Sequence, residues 1–274
     1  MKKFEGMLFC TDLDGTLYDD NKTVSKKNLD AIEYFKNEGG LFTFITGRPP
    51  YISKDVYNLI KPNAPFGCIN GGGIYDGEAN NYLWNVELPD TVIEVVKEID
   101  KKLPEISVMY NAKKCVYFYK DNSASKRHRE LTGLENMPCY HYEDIKEPVL
   151  KIVFAHQDEK QILALAELLN NHKMANDFSF TRSERAFYEL LPKGVSKGAA
   201  LYKMAELLNV DIKKTIAVGD YNNDASMIKA AGIGFAVKNA VNEAKAAADY
   251  ITVSNNEDAI YKIVEGLDKG IFTL

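Results

Sequence analysis

No stretch of this chain approaches the ~20 consecutive apolar residues that a membrane helix needs, so no membrane-spanning role is expected. Runs of lysine or arginine are also missing. The balance of 34 basic against 39 acidic side chains leaves a net charge of −5, which argues against a nucleic-acid backbone as the main partner. The one short basic cluster, Lys126-Arg127-His128-Arg129, reads as solvated surface. Cysteine is scarce and forms no Cys-x-x-Cys pair; Cys10, Cys68, Cys115 and Cys139 are all there is. A disulfide framework and a zinc site are therefore set aside in favour of buried free thiols in a reducing compartment. Histidine is as rare, and His128, His141, His156 and His172 lack metal-ligand spacing; solvated or hydrogen-bonded cap roles are expected. Glu5 and Asp12 cut the first apolar run too short for a signal peptide, so the expected location is cytoplasmic. Neither a Gly-x-Gly-x-x-Gly after a strand nor a P-loop is found, and there is no internal repeat or low-complexity tract.

What is present is an ordinary globular composition, 46% apolar over 274 residues, which predicts one large or two modest domains. Short apolar runs alternate with helical spacing at both ends of the chain. Met7–Thr11, Leu41–Ile45, Pro65–Ile69, Thr215–Val218, Ile233–Val237 and Tyr250–Val253 read as strands. Between them, helices are expected from Ser25 to Gly39, from Pro49-Pro50 to Ile60, over Ser196–Leu208, Asn223–Ala231 and Asn242–Ala248, and from Glu257 to Gly266. Such alternation predicts an α/β fold, a doubly wound parallel sheet with helices on both faces. The texture changes in the middle. Asn70–Asn81 is rich in Gly and Asn and reads as turns or a small hairpin. Pro89–Lys102 is an amphipathic helix with Val92, Val95, Val96 and Ile99 on one stripe. Ile106–Asn111, Lys114–Lys120, Val149–Ala155, Phe178–Thr181 and Ala186–Leu191 read as strands, with a helix after Asp158. The expected domains are a core of residues 1–82 and 190–274, interrupted by an α+β insertion, residues 83–189.

Three of the apolar strands end in residues able to do chemistry. The first runs into Asp12-Leu13-Asp14-Gly15-Thr16. There the two acids, spaced i, i+2, share a face, and Gly15 lets the backbone bend. A plain Asp-Gly turn is the simpler reading. The second ends at Thr46-Gly47-Arg48. The third ends at Gly219-Asp220, followed by Asn223 and Asp224, a pair that also fits simple helix N-capping. In open α/β sheets ligands bind outside the carboxyl ends of the strands, so these ends can meet in one crevice. Four acids there would repel one another, and a hard divalent cation with oxygen ligands would offset that; Mg²⁺ suits a site with few carboxylates plus phosphate oxygens. Lys197 stands at the amino end of an expected helix, where the dipole disfavours a cation. It faces either an anion or, with its tip, water. The run Gly194-Val195-Ser196-Lys197-Gly198 matches Gly-x-Ser-x-Gly, but a hydrolase triad of that type places its histidine after the serine. All four histidines precede Ser196, so that reading fails.

With these residues in view, the chain resembles the haloacid dehalogenase-like phosphatases, specifically the Cof-type group with an inserted α/β (C2B-like) cap. Four motifs match in order: Asp12-Leu13-Asp14-Gly15-Thr16-Leu17, Thr46-Gly47-Arg48, Lys197 within Gly194–Gly198, and Gly219-Asp220-Tyr221-Asn222-Asn223-Asp224. Asn239-Ala240 through Asp249-Tyr250 is similar too. Lys238 stands where the family often has glycine, and Asp258-Ala259 replaces a usual Asp-Gly. The resemblance implies a Rossmann-like core and a Mg²⁺-dependent phosphatase acting on a small phosphorylated metabolite, such as a sugar phosphate, nucleotide or cofactor phosphate. It implies Asp12 as the nucleophile that becomes an aspartyl-phosphate and Asp14 as acid and base. Thr46, Gly47, Lys197 and Asn223 would bind phosphate. Asp12, the Asp14 carbonyl, Asp220 and Asp224 would hold or orient the metal. The same core would serve a phosphotransferase or mutase on sugar phosphates, or a non-catalytic phospholigand-binding protein. Arg182, Arg185, Tyr188 and the strand Val116–Tyr119 would read the leaving group or simply line the cap surface. The sequence leaves the substrate and the oligomeric state open.

Overall fold

The computed structural model describes residues 2–134, 137–138 and 141–273, so Cys139 lies outside the described residues. They form two compact units. One comprises the chain up to Gly47, Lys54–Leu83 and everything from Ser196 on; the other comprises Arg48–Ser53 and Trp84–Val195.

The first unit is built on a five-stranded sheet, in the order Tyr250–Ile251, Ile233–Ala236, Thr215–Gly219, Leu8–Thr11, Leu41–Phe44, with every pair parallel. Leu8–Thr11 and Thr215–Gly219 are buried throughout, which is why both read as unbroken apolar runs rather than alternating ones. Neighbouring residues on a strand point to opposite faces. Phe9 packs edge-on against Phe35 of the helix Lys26–Asn37, ring centroids 5.7 Å apart. Cys10 places its sulfur 3.8 Å from that of Met204, on the helix Lys197–Leu207. The two helices therefore cover opposite faces, and the sheet is doubly wound as expected. Each helix opens on a serine cap. Ser25 Oγ accepts from the amide of Asn28, and Ser196 Oγ from that of Ala199, both at 3.1 Å, satisfying amides that have no partner within the helix. Ser196 is thus a cap, in line with the rejection of a nucleophilic serine.

Two expectations need adjusting here. Phe66–Cys68 is a strand, but its tie to the parallel sheet is a single bridge between Ile45 and Gly67. Its main partner is the antiparallel strand Gly73–Asp76, with Asn81–Asn85 completing a small three-stranded sheet. A left-handed turn over residues 69–71 reverses the chain before any helix can begin. The helix expected from Pro49-Pro50 to Ile60 is divided into a short turn, Pro50–Ile52, and the helix Lys54–Ile60.

The second unit carries a six-stranded sheet ordered Phe178–Glu184, Phe187–Pro192, Val149–Ala155, Ser107–Ala112, Val116–Tyr119, Met137–Pro138. It is antiparallel except for the last pair. The helices Val92–Lys102 and Glu159–Asn170 press their stripes, Val92, Val95 and Ile99, and Ile162, Leu165 and Leu169, onto Tyr110, Ile152 and Phe154. The opposite face of the sheet carries a smaller cluster of Met109, Phe118, Ala124, Val153 and Phe187. Ala124 belongs to a helix, Ser123–Thr132, that the sequence reading missed because the segment is almost wholly polar. Asn122 forms a capping box at its start. Arg129 pairs with Asp121 at 2.6 Å and lies over the Phe118 ring at 5.0 Å. The basic cluster is thus one helix, anchored through its arginine. No helix among the described residues is long and apolar enough to cross a membrane.

Phe35 ties the first unit's core together, stacking on Phe4 at 4.6 Å as well as meeting Phe9. Phe35→Ala is expected to cost about 3–5 kcal/mol, and Phe35→Leu clearly less. Urea denaturation followed by circular dichroism measures both; equal costs would mean that the aromatic packing is not what counts.

Candidate active site

The strands ending at Thr11, Phe44 and Gly219 are adjacent in the sheet and point the same way, so their chemical ends come together. The chain leaves the strand Leu8–Thr11 to one side for Leu41–Phe44 and returns on the other side at Thr215–Gly219. That places a topological switch point between Leu8–Thr11 and Thr215–Gly219, where α/β folds form their crevice. The ladder continues past the strands: the Asp12 amide donates to Val218 O and the Ile45 amide to Thr11 O, both at 2.9 Å. Backbone hydrogen bonds thus hold Asp12, and Ile45 just before Thr46, at neighbouring strand ends.

Lys197 links the parts. Its ammonium is 1% exposed and donates to Asp12 Oδ1 and Asp224 Oδ1, each at 2.5 Å. The alternative of a lysine reaching water is excluded by that burial. The capping alternative for Asp224 is excluded as well. Its side chain makes no cap hydrogen bond to the helix Ala225–Ala230. Instead Oδ2 accepts from the amides of Asp220 and Tyr221, at 3.0 and 2.9 Å. Asp12, Asp220 and Asp224 each bring one carboxylate oxygen within 4.8 Å of the others. Asp220 also accepts from Thr16 Oγ1 at 3.0 Å. Asp12 Oδ2 takes no hydrogen bond from the described residues. Gly15, at φ 79°, has to be glycine, because a Cβ there would lie 2.5 Å from Asp220 Oδ2.

Three carboxylates around one ammonium leave a surplus of negative charge in a buried place, and the acidities respond. Burial and then Asp224 push the Asp12 carboxyl well above the usual carboxylate range, with Lys197 pulling the other way. Asp220 is pushed up to about 7, by burial first and Asp224 second. At Lys197 burial works against the charge, but Asp12 and Asp224 outweigh it and hold the ammonium above its ordinary value. A surplus of hard oxygen donors with too little positive charge is what a divalent cation would complete. Asp12 and Asp220 have oxygens to give, whereas Asp224 has already committed both of its own to the protein.

Asp14 stands apart from the three-acid cluster. Its carboxylate pairs with Lys22 at 2.9 Å and is 37% exposed. Thr46 is buried and receives the amide of Asn70 on its carbonyl at 3.0 Å. Asn223 donates through Nδ2 to Asn70 Oδ1 at 2.9 Å, and its own Oδ1 is buried without a partner among the described residues. Asn239 donates to Gly15 O at 2.8 Å. Sequence reasoning gave no role to Lys22, Asn70 or Thr16, since nothing in their local pattern marks a contact made across the fold. In the second unit, the residues considered as leaving-group readers all have structural partners. Arg182 and Arg185 share Glu159 at 2.5 and 3.0 Å. Tyr188 lies in the core with its hydroxyl accepting from Asn170. Tyr117 and Tyr119 donate to Glu147 and Asp100.

Comparison with known proteins identifies the family. A family model described as haloacid dehalogenase-like hydrolase matches residues 9–264. The chain is similar to the 5-amino-6-(5-phospho-D-ribitylamino)uracil phosphatase YitU of Bacillus subtilis (strain 168), 27% identical over 267 residues, covering 94% of this chain and 96% of that one. It is similar to YwtE, a phosphatase of the same description from the same organism, 28% identical over 296 residues, covering 94% and 97%. A solved haloacid dehalogenase-like hydrolase from Bacteroides thetaiotaomicron matches with a TM-score of 0.82 at 28% identity, covering 97% of this chain and 99% of that one.

The charge surplus has a measurable signature. With a folded-state value of about 7 against an ordinary 3.8, Asp220 keeps a proton in the folded chain that the unfolded chain has lost. The stability of the chelator-treated protein relative to an Asp220→Asn variant is therefore expected to fall as pH rises from about 4 to about 7, and a Tm difference between the two that stays flat or moves in favour of the unaltered protein across that window would contradict the assignment. Lys197→Met, which leaves two buried carboxylates uncompensated, is expected to cost about 3–5 kcal/mol, more at pH 8 than at pH 5.

Proposed function

The chain belongs to the haloacid dehalogenase-like hydrolases, in their Cof-type group, and from that membership we propose that it is a Mg²⁺-dependent phosphatase that hydrolyses a small phosphorylated metabolite through an aspartyl-phosphate. In this reading residues 1–82 and 190–274 are the catalytic core and residues 83–189 an inserted cap. The carrying observation is the buried Asp12–Lys197–Asp224 triad at the switch point of a parallel sheet, with Asp220 alongside. Two relatives described as phosphatases of a phosphoribityl compound support a small phosphorylated substrate, and the hydrolase class makes the chain a phosphoric monoester hydrolase.

Asp12 attacks phosphorus through a carboxylate oxygen. A bond from Asp12 to phosphorus forms, the bond from phosphorus to the ester oxygen breaks, and Asp14 gives that leaving oxygen its proton. Asp14 then takes a proton from water as the water attacks phosphorus, releasing inorganic phosphate and restoring Asp12. Lys197 favours the charged form of Asp12 and offsets charge on the transferring group. Thr46 and the Gly47 amide bind phosphoryl oxygens, and Asn223 lies beside the phosphate. Asp12, the Asp14 carbonyl and Asp220 would hold Mg²⁺, which would supply the charge neutralisation that phosphoryl transfer mainly requires. Asp224 orients the set, since Lys197 and two amides already occupy its oxygens.

Asp12→Asn is expected to abolish Mg²⁺-dependent turnover of p-nitrophenyl phosphate, by at least about a thousandfold, without loss of Tm. A rate near that of the unaltered enzyme would remove Asp12 from the nucleophile's place. Chelation is expected to silence the enzyme, with recovery on adding Mg²⁺.

A further inference from the structure

Three consecutive residues at the edge of the site, Ile69, Asn70 and Gly71, have φ of 57°, 53° and 94°. Glycine takes such angles freely, and asparagine tolerates the left-handed region better than most residues, but a β-branched isoleucine there is a true outlier. Ile69 is fully buried and Asn70 is 1% exposed, so the turn is held inside the unit. Strain of this kind persists only where the surroundings over-determine it, and it gathers at functional sites.

The contacts of the turn fit that pattern. The Asn70 amide donates to Thr46 O at 3.0 Å. The Asn70 side chain borders Gly47 so closely that a Cβ on Gly47 would lie 3.0 Å from Asn70 Oδ1. That same Oδ1 accepts from Asn223 Nδ2 at 2.9 Å. Gly71 abuts the carbonyl of Ser196, the cap of the helix that begins at Lys197, and any Cβ there would overlap it. Thr46, Gly47, Asn223 and Lys197 come from three separate segments of the chain. They are also the whole set assigned above to the phosphate.

We infer that Asn70 is a positioning residue for the phosphate pocket, acting through Asn223. A backbone turn alone could reverse the chain with glycine at this position. The amide adds a hydrogen bond that fixes which way Asn223 presents its own amide. With Nδ2 tied to Asn70, Asn223 Oδ1 is buried with no donor among the described residues, a costly state unless a ligand supplies one. A water or the hydroxyl of a phosphate monoanion has that donor. The strained turn thus sets Asn223 against the Thr46-Gly47 loop before the ligand arrives, which is pre-organisation rather than direct contact. The inference rests on the phosphatase reading of the same site.

Asn70→Gly tests it, because glycine accepts the left-handed angle at least as well and removes only the amide. Its Tm is expected to equal or exceed that of the unaltered protein. In saturating Mg²⁺, KM for p-nitrophenyl phosphate and the inhibition constant of inorganic phosphate are each expected to rise about tenfold. The half-saturating Mg²⁺ concentration should stay within about twofold, and the rise in Tm that inorganic phosphate gives the unaltered protein should disappear. Asn223→Ala should have the same effects, and the double variant should be no worse than Asn223→Ala alone. Additive losses, or an Asn70→Gly protein whose two constants are unchanged whatever its Tm, would overturn the inference. Failure of the phosphatase reading looks different: the unaltered protein itself would then neither turn over the ester nor respond to phosphate.

Discussion

One buried ammonium holds the catalytic end of this protein together. Lys197 sits between Asp12 and Asp224 with almost no access to water, and it pulls the Asp12 carboxyl back toward its charged form against the effect of burial. Burying an ion costs several kcal/mol even after relaxation, so the arrangement exists only because the three charges arrive together. They arrive from three places: the end of the strand Leu8–Thr11, the first turn of a helix, and the loop after the strand Thr215–Gly219. Removing Lys197 would leave two buried carboxylates facing each other with no cation between them. The same constraint explains why Asp224 accepts two backbone amides on its second oxygen. A carboxylate that far from water needs every lone pair engaged.

The parallel sheet makes that meeting possible at little cost in chain entropy. Hydrogen bonds from Asp12 to Val218 and from Ile45 to Thr11 extend the ladder one residue past each strand end. The first polar residues therefore inherit the rigidity of the sheet. Loop residues would have to be ordered separately, at about 1–2 kcal/mol each. Aromatic packing of Phe4, Phe9, Phe35 and Phe42 behind the site is the apolar counterweight. It lies at the other end of these short strands and on one face of the sheet, remote from the charges it offsets.

The sequence was legible where one local pattern maps onto one structure. Strands buried on both faces read as mainly apolar runs, and Leu41–Phe44, Val149–Ala155 and Thr215–Gly219 follow their patterns to within a residue. Strand ends rich in Asp, Thr and Asn marked the crevice. Ambiguity began where a residue has two local uses: Asp224 fits a helix cap and Lys197 a surface position. Only the fold decides between these and the charged cluster. Polar segments were illegible for a related reason. Ser123–Thr132 has no apolar stripe, and its helix depends on the Asn122 capping box and on Arg129 finding Phe118 and Asp121. Asn70 looked like turn material, which it is. Its reach to Asn223 spans 153 positions, and no window on the sequence contains that distance.

The turn at residues 69–71 also explains why the chain leaves the parallel pattern there. A further βα unit after Phe66–Cys68 would send the backbone into a helix and carry residue 70 away from the strand end. A left-handed reversal keeps it in place, under Thr46 and beside Asn223, and returns the chain as Gly73–Asp76 along the strand it has just left. The departure from regular topology and the backbone strain are thus one feature. Regular structure would have satisfied Ile69 better and the site worse. Where sequence logic for a fold breaks locally, the physical question is what the broken rule holds in position; here that is an amide bracketed by the Thr46-Gly47 loop, the lysine helix and Asn223.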